Sequence, residues 1–264
     1  MTRARTTAAS TATTDAPQAS ASRRFPEWVA ERQTQDGTRR KGERTRDRIR
    51  LATVQLLDEV GYRDLTVAEI CARADVTAPV LYLYFENKQA LMTDVLREFL
   101  DDFLARGEVA TAATAFESIH SANRTWIALA RENAGLMRCL LQLSDDVPEF
   151  AALFANASDA WYRRIARNVV RRFPSAATEE AGIHLIAHAM GAMMDEVTRK
   201  LFSGNDPHLQ ALVATVAPTD DDLARFLSLI WHRALYAADP EPGAAPPVAP
   251  RLAAAARRAA RRAP

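Results

Sequence analysis

The chain has 264 residues, nearly half of them apolar, and a net charge of only +1, which excludes a polycationic coat spread over the whole molecule and leaves ample chain for one or two cored domains. Nine glycines in a background of Ala, Leu, Arg and Glu favour an all-α protein. Cys71 and Cys139 make no disulfide framework, and no apolar run approaches the roughly 18 residues a bilayer span needs, so the expectation is a cytoplasmic protein with no membrane partner.

Residues 1–24 are rich in Thr, Ala, Ser and Arg and carry one acid, Asp15. They lack the apolar core of a secretory signal; they share the composition of a transit peptide but read better as a disordered segment. Phe25-Pro26-Glu27-Trp28-Val29 is an isolated apolar patch, suited to a short docking helix that Gly37 ends; the expected basic, disordered arm runs over 1–37. From Thr38, Ile49, Ala52, Leu56 and Val60 recur at helical spacing, and Gly61 stops that helix. Thr66-Val67-Ala68-Glu69 is a capping box, with Leu65 and Ile70 as its hydrophobic staple. A third helix, 77–84, has Thr77 as cap and Pro79 in its first turn. Asn87 caps a long helix that runs to about 106, before Gly107. Further helices are predicted at about 111–131, 133–143, 148–172, 178–203 and 220–238, separated by Pro, Gly, Ser and Asp breaks. An Ala/Pro tail fills 239–264, its last stretch from Arg251 holding five Arg and no acid, and reads as disordered.

Helix 66–73, the turn Ala74-Asp75-Val76 and helix 77–84 have helix-turn-helix spacing. Beside them, residues 39–50 carry seven cations against Glu43 and Asp47, and Tyr82, Tyr84 and Lys88 add phenols and an ammonium. A cationic, hydroxyl-bearing edge is what seats a protein on double-stranded DNA. The same residues also fit amphipathic packing and a solvated charged face.

The run from Leu65 to Leu91, above all Leu81-Tyr-Leu-Tyr-Phe-Glu-Asn-Lys-Gln-Ala-Leu91, resembles the N-terminal signature of the TetR (tetracycline-repressor-like) family of transcriptional regulators. The match covers about 44–100; beyond it the likeness is one of length and helicity. It implies an N-terminal three-helix helix-turn-helix domain (38–106) and a C-terminal helical effector-binding and dimerisation domain (107–238). By this resemblance Arg44, Arg46, Thr66, Tyr82, Tyr84 and Lys88 lie along DNA phosphates, while Thr77, Ala78, Pro79, Val80 and Leu83 form the face that enters the major groove. The family commonly has Gly where this chain has Asp75, a residue that tolerates a left-handed backbone. Only Thr77 on that face carries a side-chain hydrogen-bonding group, so bidentate reading of guanine by Arg is lacking, and thymine methyls, main chain, DNA shape and the arm are left to supply specificity.

The resemblance also implies a homodimer on a palindromic operator, released by a small-molecule effector. Helices 178–203 and 220–238 would build the interface, with Leu185, Met190, Gly191, Met194, Phe226, Ile230 and Trp231 as its residues, or as ordinary core. Candidate pocket residues are Asn123, Trp126, Met137, Cys139, Trp161, Tyr162, His184 and Met193. His184 and His188 have the i, i+4 spacing of metal ligands, but the sequence offers no obvious third ligand, so no metal and no cofactor are expected. No nucleophile–base pair, carboxylate pair or phosphate-binding glycine loop argues for an enzyme. The competing readings are an activator on the same scaffold and a non-specific architectural DNA-binding protein favoured by the basic tails.

Overall fold

The computed structural model describes residues 24–35, 40–106, 114–142, 146–204 and 206–236. Among them are eleven α-helices and no strand, so the chain is all-α. The residues expected to form the arm up to 23, the stretch 36–39 with Gly37, Thr38 and Arg39, the break at Gly107 and the tail from 239 lie outside the described residues.

Helix α1 (Phe25–Gln35) corrects the expected arm over 1–37: its apolar patch is docked. Phe25 and Val29 are buried, and Phe25 stacks on Trp28 and meets Phe99 edge-on, with ring centroids 5.4 and 5.3 Å apart. The Phe25 amide donates to Asn133 Oδ1 at 2.7 Å, satisfying a backbone donor in the core. A patch too small to order itself is thus ordered by the surface it covers.

Helix α2 (Lys41–Asp64) holds two helical pieces, and the expected stop between them is Gly61, where the backbone leaves helical geometry. Its φ of 76° is a backbone state that a side chain would strain, and Leu65 N–H closes the turn on the Gly61 carbonyl at 3.1 Å. In α3 (Val67–Ala74) the capping box forms: Glu69 N–H donates to Thr66 Oγ1 at 3.2 Å, and Thr66 N–H donates to Glu69 Oε2 at 2.9 Å. Asp75 then takes the left-handed conformation (φ 51°, ψ 55°) that reverses the chain. Helix α4 (Ala78–Tyr82) is one short turn with Pro in its first turn. Helix α5 (Lys88–Arg106) begins where Asn87 Oδ1 accepts from Ala90 N–H at 2.8 Å.

Helices α6 (Ala115–Glu132), α7 (Ala134–Gln142) and α8 (Pro148–Arg172) follow the prediction, except that α6 starts at a Thr114–Glu117 capping box instead of near 111. The expected 178–203 helix is composite. A 3-10 segment over Pro174–Glu179 leads into α9 (Glu180–Thr198), and a π-helical turn over Arg199–Ser203 ends it. Between two predicted breaks lies a further helix, α10 (Pro207–Val216), and α11 (Asp220–Tyr236) completes the described fold.

Two cores result. The first joins α1, α2, α3 and α5 with Leu81, with Phe150 at the start of α8, and with Leu136, Met137, Cys139 and Leu140 of α7. It therefore crosses the domain boundary expected at residue 107. The second joins α6, α8, α9 and α11 around Ile127, Tyr162, Ala187 and Leu227. Phe103 of α5 connects them, packing its ring 5.3 Å from Trp126 and 5.5 Å from Trp161.

Candidate functional site

The outer end of the first core carries the helix-turn-helix. The staple residues Leu65 and Ile70 and the α4 residue Leu81 are fully buried, which fixes α3 and α4 to the body and turns the remaining α4 side chains outward. Thr77, Ala78 and Pro79 are exposed and Val80 is half-buried. Leu83 is 80% exposed and Tyr82 52%, in a domain whose other large apolar side chains are nearly all covered. Thr77 stands at the N-cap with an extended backbone, yet its hydroxyl makes no capping bond, contrary to expectation, and so stays available to an outside partner.

The expected phosphate contacts separate under inspection. Arg44 is exposed, and Tyr84 packs partly on the core with its hydroxyl over the start of α2, where a β-carbon added at Gly42 would lie 3.4 Å from it. Thr66 is exposed but engaged, its hydroxyl donating to Glu69 at 2.7 Å. That bond and the Thr66 N–H hold the Glu69 carboxyl below its ordinary range. Arg46 pairs with Asp94 at 2.8 Å and lies over the Phe85 ring. Arg50 joins the same network through Asp94, Asp47 and Glu98, where Arg32 of α1 also binds Glu98. Part of the basic run is thus a clamp between α1, α2 and α5.

Lys88 departs furthest from expectation. Its ammonium donates to the carbonyls of Tyr62 and Leu65 at 3.1 and 2.9 Å and rests 4.6 Å from the Tyr62 ring centre. A cation at a helix C-terminus satisfies carbonyls that lack helical partners. A phosphate contact would require those bonds to break, so in this structure Lys88 is a C-terminal cap of α2.

The second core encloses a cavity of about 380 Å³. Of the residues expected to face a ligand, Asn123, Trp126, Trp161 and Tyr162 line it. Asn123 is oriented by donating to Ser228 Oγ at 2.9 Å, which in turn donates to the Ala224 carbonyl at 2.6 Å. Met137 and Cys139 do not line it: both are buried in the first core, where burial pushes the Cys139 thiol up to about 12 and leaves it a small core side chain. Met193 packs half-buried against the second core, and His184 lies on the outer side of α9 against α8.

The cavity also takes three residues expected at a dimer interface. Gly191, Met194 and Trp231 are buried within the chain and line it. The reason is helical phase: Ile183, Ala187, Gly191, Met194 and Thr198 form the buried stripe of α9. At Gly191 a β-carbon would sit 1.9 Å from the Tyr162 hydroxyl, so only glycine admits that ring. On the opposite phase Leu185 is 71% exposed, alongside exposed Ala181, Ala189 and Ala192. Met190, Phe226 and Ile230 are half-buried.

Sequence reasoning missed Asp195, the one carboxylate of α9 that lines the cavity. Burial pushes its carboxyl up to about 7, so it exchanges a proton near neutral pH. Burial and the Asp195 charge raise the Tyr162 phenol, against a hydrogen bond with Ser158 that lowers it. Trp126 and Trp231 each carry a buried indole N–H without a hydrogen-bond partner. The cavity is therefore aromatic and largely apolar, with the Asp195 carboxyl, the Asn123 amide, two indoles and the guanidinium groups of Arg171 and Arg172 among its polar features.

Comparison with known proteins places these features. Residues 49–95 match the model of bacterial regulatory proteins, tetR family. HTH-type transcriptional regulator BetI 1 of Chromohalobacter salexigens is 39% identical over 51 residues, 19% of this chain and 25% of that protein. The fatty acid metabolism regulator protein of Bacillus subtilis is 33% identical over 70 residues, 26% of this chain and 36% of that protein. These matches thus span about a quarter to a third of the curated relatives' lengths. A solved tetR-family transcriptional regulator from Streptomyces coelicolor shares the fold at 18% identity, with a TM-score of 0.60, over 83% of this chain and 98% of that one. Residues 49–95 thus carry the signature of the tetR family of bacterial regulatory proteins, and the chain as a whole shares the fold of a solved tetR-family regulator.

Proposed function

We propose that the protein is a DNA-binding transcriptional regulator, a repressor that sits on a palindromic operator as a homodimer and leaves it when a small molecule fills the cavity. The observation that carries the DNA part is the exposed α4 face. A Leu that is 80% exposed beside an uncapped Thr77, on a helix anchored by fully buried neighbours, has no role in folding the chain. In a major groove, Leu83, Val80 and Pro79 meet thymine methyls, Thr77 supplies a hydroxyl, and Arg44, Tyr82 and Tyr84 lie towards the backbone.

Release follows from the route between cavity and DNA. Phe103 and Leu100 of α5 line the cavity, and Lys88 at its other end holds the α2 terminus beside the helix-turn-helix. A ligand that binds more tightly to one setting of α5 shifts the population towards it, and the half-site spacing of the dimer changes with it. The cavity's size and aromatic lining suit a compact, mainly apolar molecule with polar groups for Asp195, Asn123 and the arginines Arg171 and Arg172.

A competition gel shift tests the DNA reading. A fragment selected from the genome should stay bound to the full chain under excess random duplex, and Leu83→Asp should abolish the shift while leaving the melting temperature unchanged. Equal displacement by random duplex would replace the regulator with an architectural protein.

A further inference from the structure

We infer that Asp159, His184 and His188 form a binding site for a divalent transition-metal ion, of the zinc, cobalt or nickel class, where α8 meets α9. The two histidines stand one turn apart on α9, and α8 supplies the third ligand that the linear sequence did not reveal. Asp159 Oδ1 is 3.2 Å from His184 Nε2 and 3.5 Å from His188 Nε2, and the three ligand atoms all lie within 4.8 Å of one another. Ligand atoms around a tetrahedral ion at about 2.0–2.1 Å are separated by roughly 3.3 Å, so the two measured edges are already those of a coordination shell.

A simple carboxylate–imidazole hydrogen bond accounts for His188 but not for His184. His184 Nε2 is buried, faces the carboxylate oxygen at 3.2 Å and still makes no hydrogen bond, because the approach lies off the N–H direction. His184 Nε2 is thus buried and unpartnered beside a carboxylate oxygen, an arrangement that a cation shared by the two would satisfy.

The surroundings fit the same use. Arg163 holds the other carboxylate oxygen, Oδ2, at 2.8 Å, which fixes the rotamer and leaves Oδ1 for the ion. The Tyr162 ring meets His188 edge-on at 4.7 Å and sets the plane of that imidazole. His188 is exposed, so an aqueous ion reaches the site, and three protein ligands leave a fourth position to water. Two imidazoles and one carboxylate select borderline metals over calcium or magnesium, which favour all-oxygen shells.

The test uses the full, untagged chain, freed of metal by chelation and titrated with Co²⁺ under visible absorption and by calorimetry. One ion per protomer is expected, displaced by Zn²⁺, and Zn²⁺ should raise the melting temperature. His184→Ala and Asp159→Asn should each weaken binding by about a hundredfold and abolish the thermal shift, whereas His208→Ala, on exposed α10, should change neither. Circular dichroism of the free variants checks that they fold, and His188→Ala gives a second, more exposed position at which to see the loss. The proposal is overturned if the wild-type chain takes up no ion in a saturable manner, or if the variants bind Co²⁺ as well as wild type.

Discussion

Two threonines in equivalent positions divide the work of the helix-turn-helix. Thr66 and Thr77 both precede helices, but only the first uses its hydroxyl within the fold. Thr66→Ala should therefore cost about 1 kcal/mol of stability, the usual worth of an N-cap, seen as a lower denaturation midpoint. Thr77→Ala should leave that midpoint within about 0.5 kcal/mol and weaken DNA binding several-fold. A large stability loss at Thr77 with unchanged DNA affinity would place its hydroxyl inside the fold after all.

Asp195 gives a pH signature at the same scale. Its folded-state value of about 7 stands above the 3.8 of an unfolded Asp, so between those values the folded chain holds a proton that the unfolded chain has released. The sign is then fixed: the neutral carboxyl contributes its stability fully below about pH 4, and that contribution is lost as pH rises towards about 7. Asp195→Asn should flatten the stability profile across this window relative to wild type, measured by denaturant titration at a series of pH values. A variant whose profile stays parallel to wild type would show that Asp195 is solvated.

Among the elements, α1 is the clearest case of tertiary contact deciding local structure. Its sequence alone supports no stable helix, but Phe25 fills the space between Trp28 and Phe99 and caps its amide on Asn133. Phe25→Ala should cost about 3–5 kcal/mol by thermal or chemical denaturation, an effect absent for deletion of residues 1–23 alone. Removing 1–37 would confuse an arm's role with a core defect. A Phe25→Ala chain as stable as wild type would mean that α1 is not docked in solution.

The legible elements are those with end signals in the sequence. The Thr66–Glu69 box, the Leu65–Ile70 staple and the Asn87 cap placed α3 and α5, because such signals act over three or four residues. Helix α10 was legible but misjudged: Asp206-Pro207 reads as a break, yet Asp206 Oδ1 accepts from His208 and Leu209 N–H and Pro occupies the first turn, which is a helix start. What could not be read is phase and partner. The same apolar α9 pattern serves an interface or a cavity until the facing helix is known, which is why Gly191 and Met194 changed roles. Lys88 and Arg46 likewise looked like free cations because Asp94 and the α2 carbonyls that hold them are distant in sequence or belong to the backbone.

For the whole molecule, the outer face of α9 bears on assembly. Leu185, with Ala181, Ala189 and Ala192 beside it, is an apolar strip that no described element covers. If it is the homodimer surface, Leu185→Glu should yield a folded monomer in sedimentation velocity, with DNA affinity reduced by at least a hundredfold because one α4 reads too few base pairs. A dimer that survives this change would move the interface elsewhere, with the exposed Leu212 and Val216 of α10 the next surface to probe.

The regulator reading stands or falls on sequence-specific DNA recognition, and selection of genomic fragments by the purified full chain measures it most directly. The predicted result is an enriched motif with two-fold symmetry, its half-sites centred about one helical turn or a multiple of it apart, lost with Leu83→Asp. Fragments retained in proportion to their length, with no shared motif and no effect of Leu83→Asp, would contradict it.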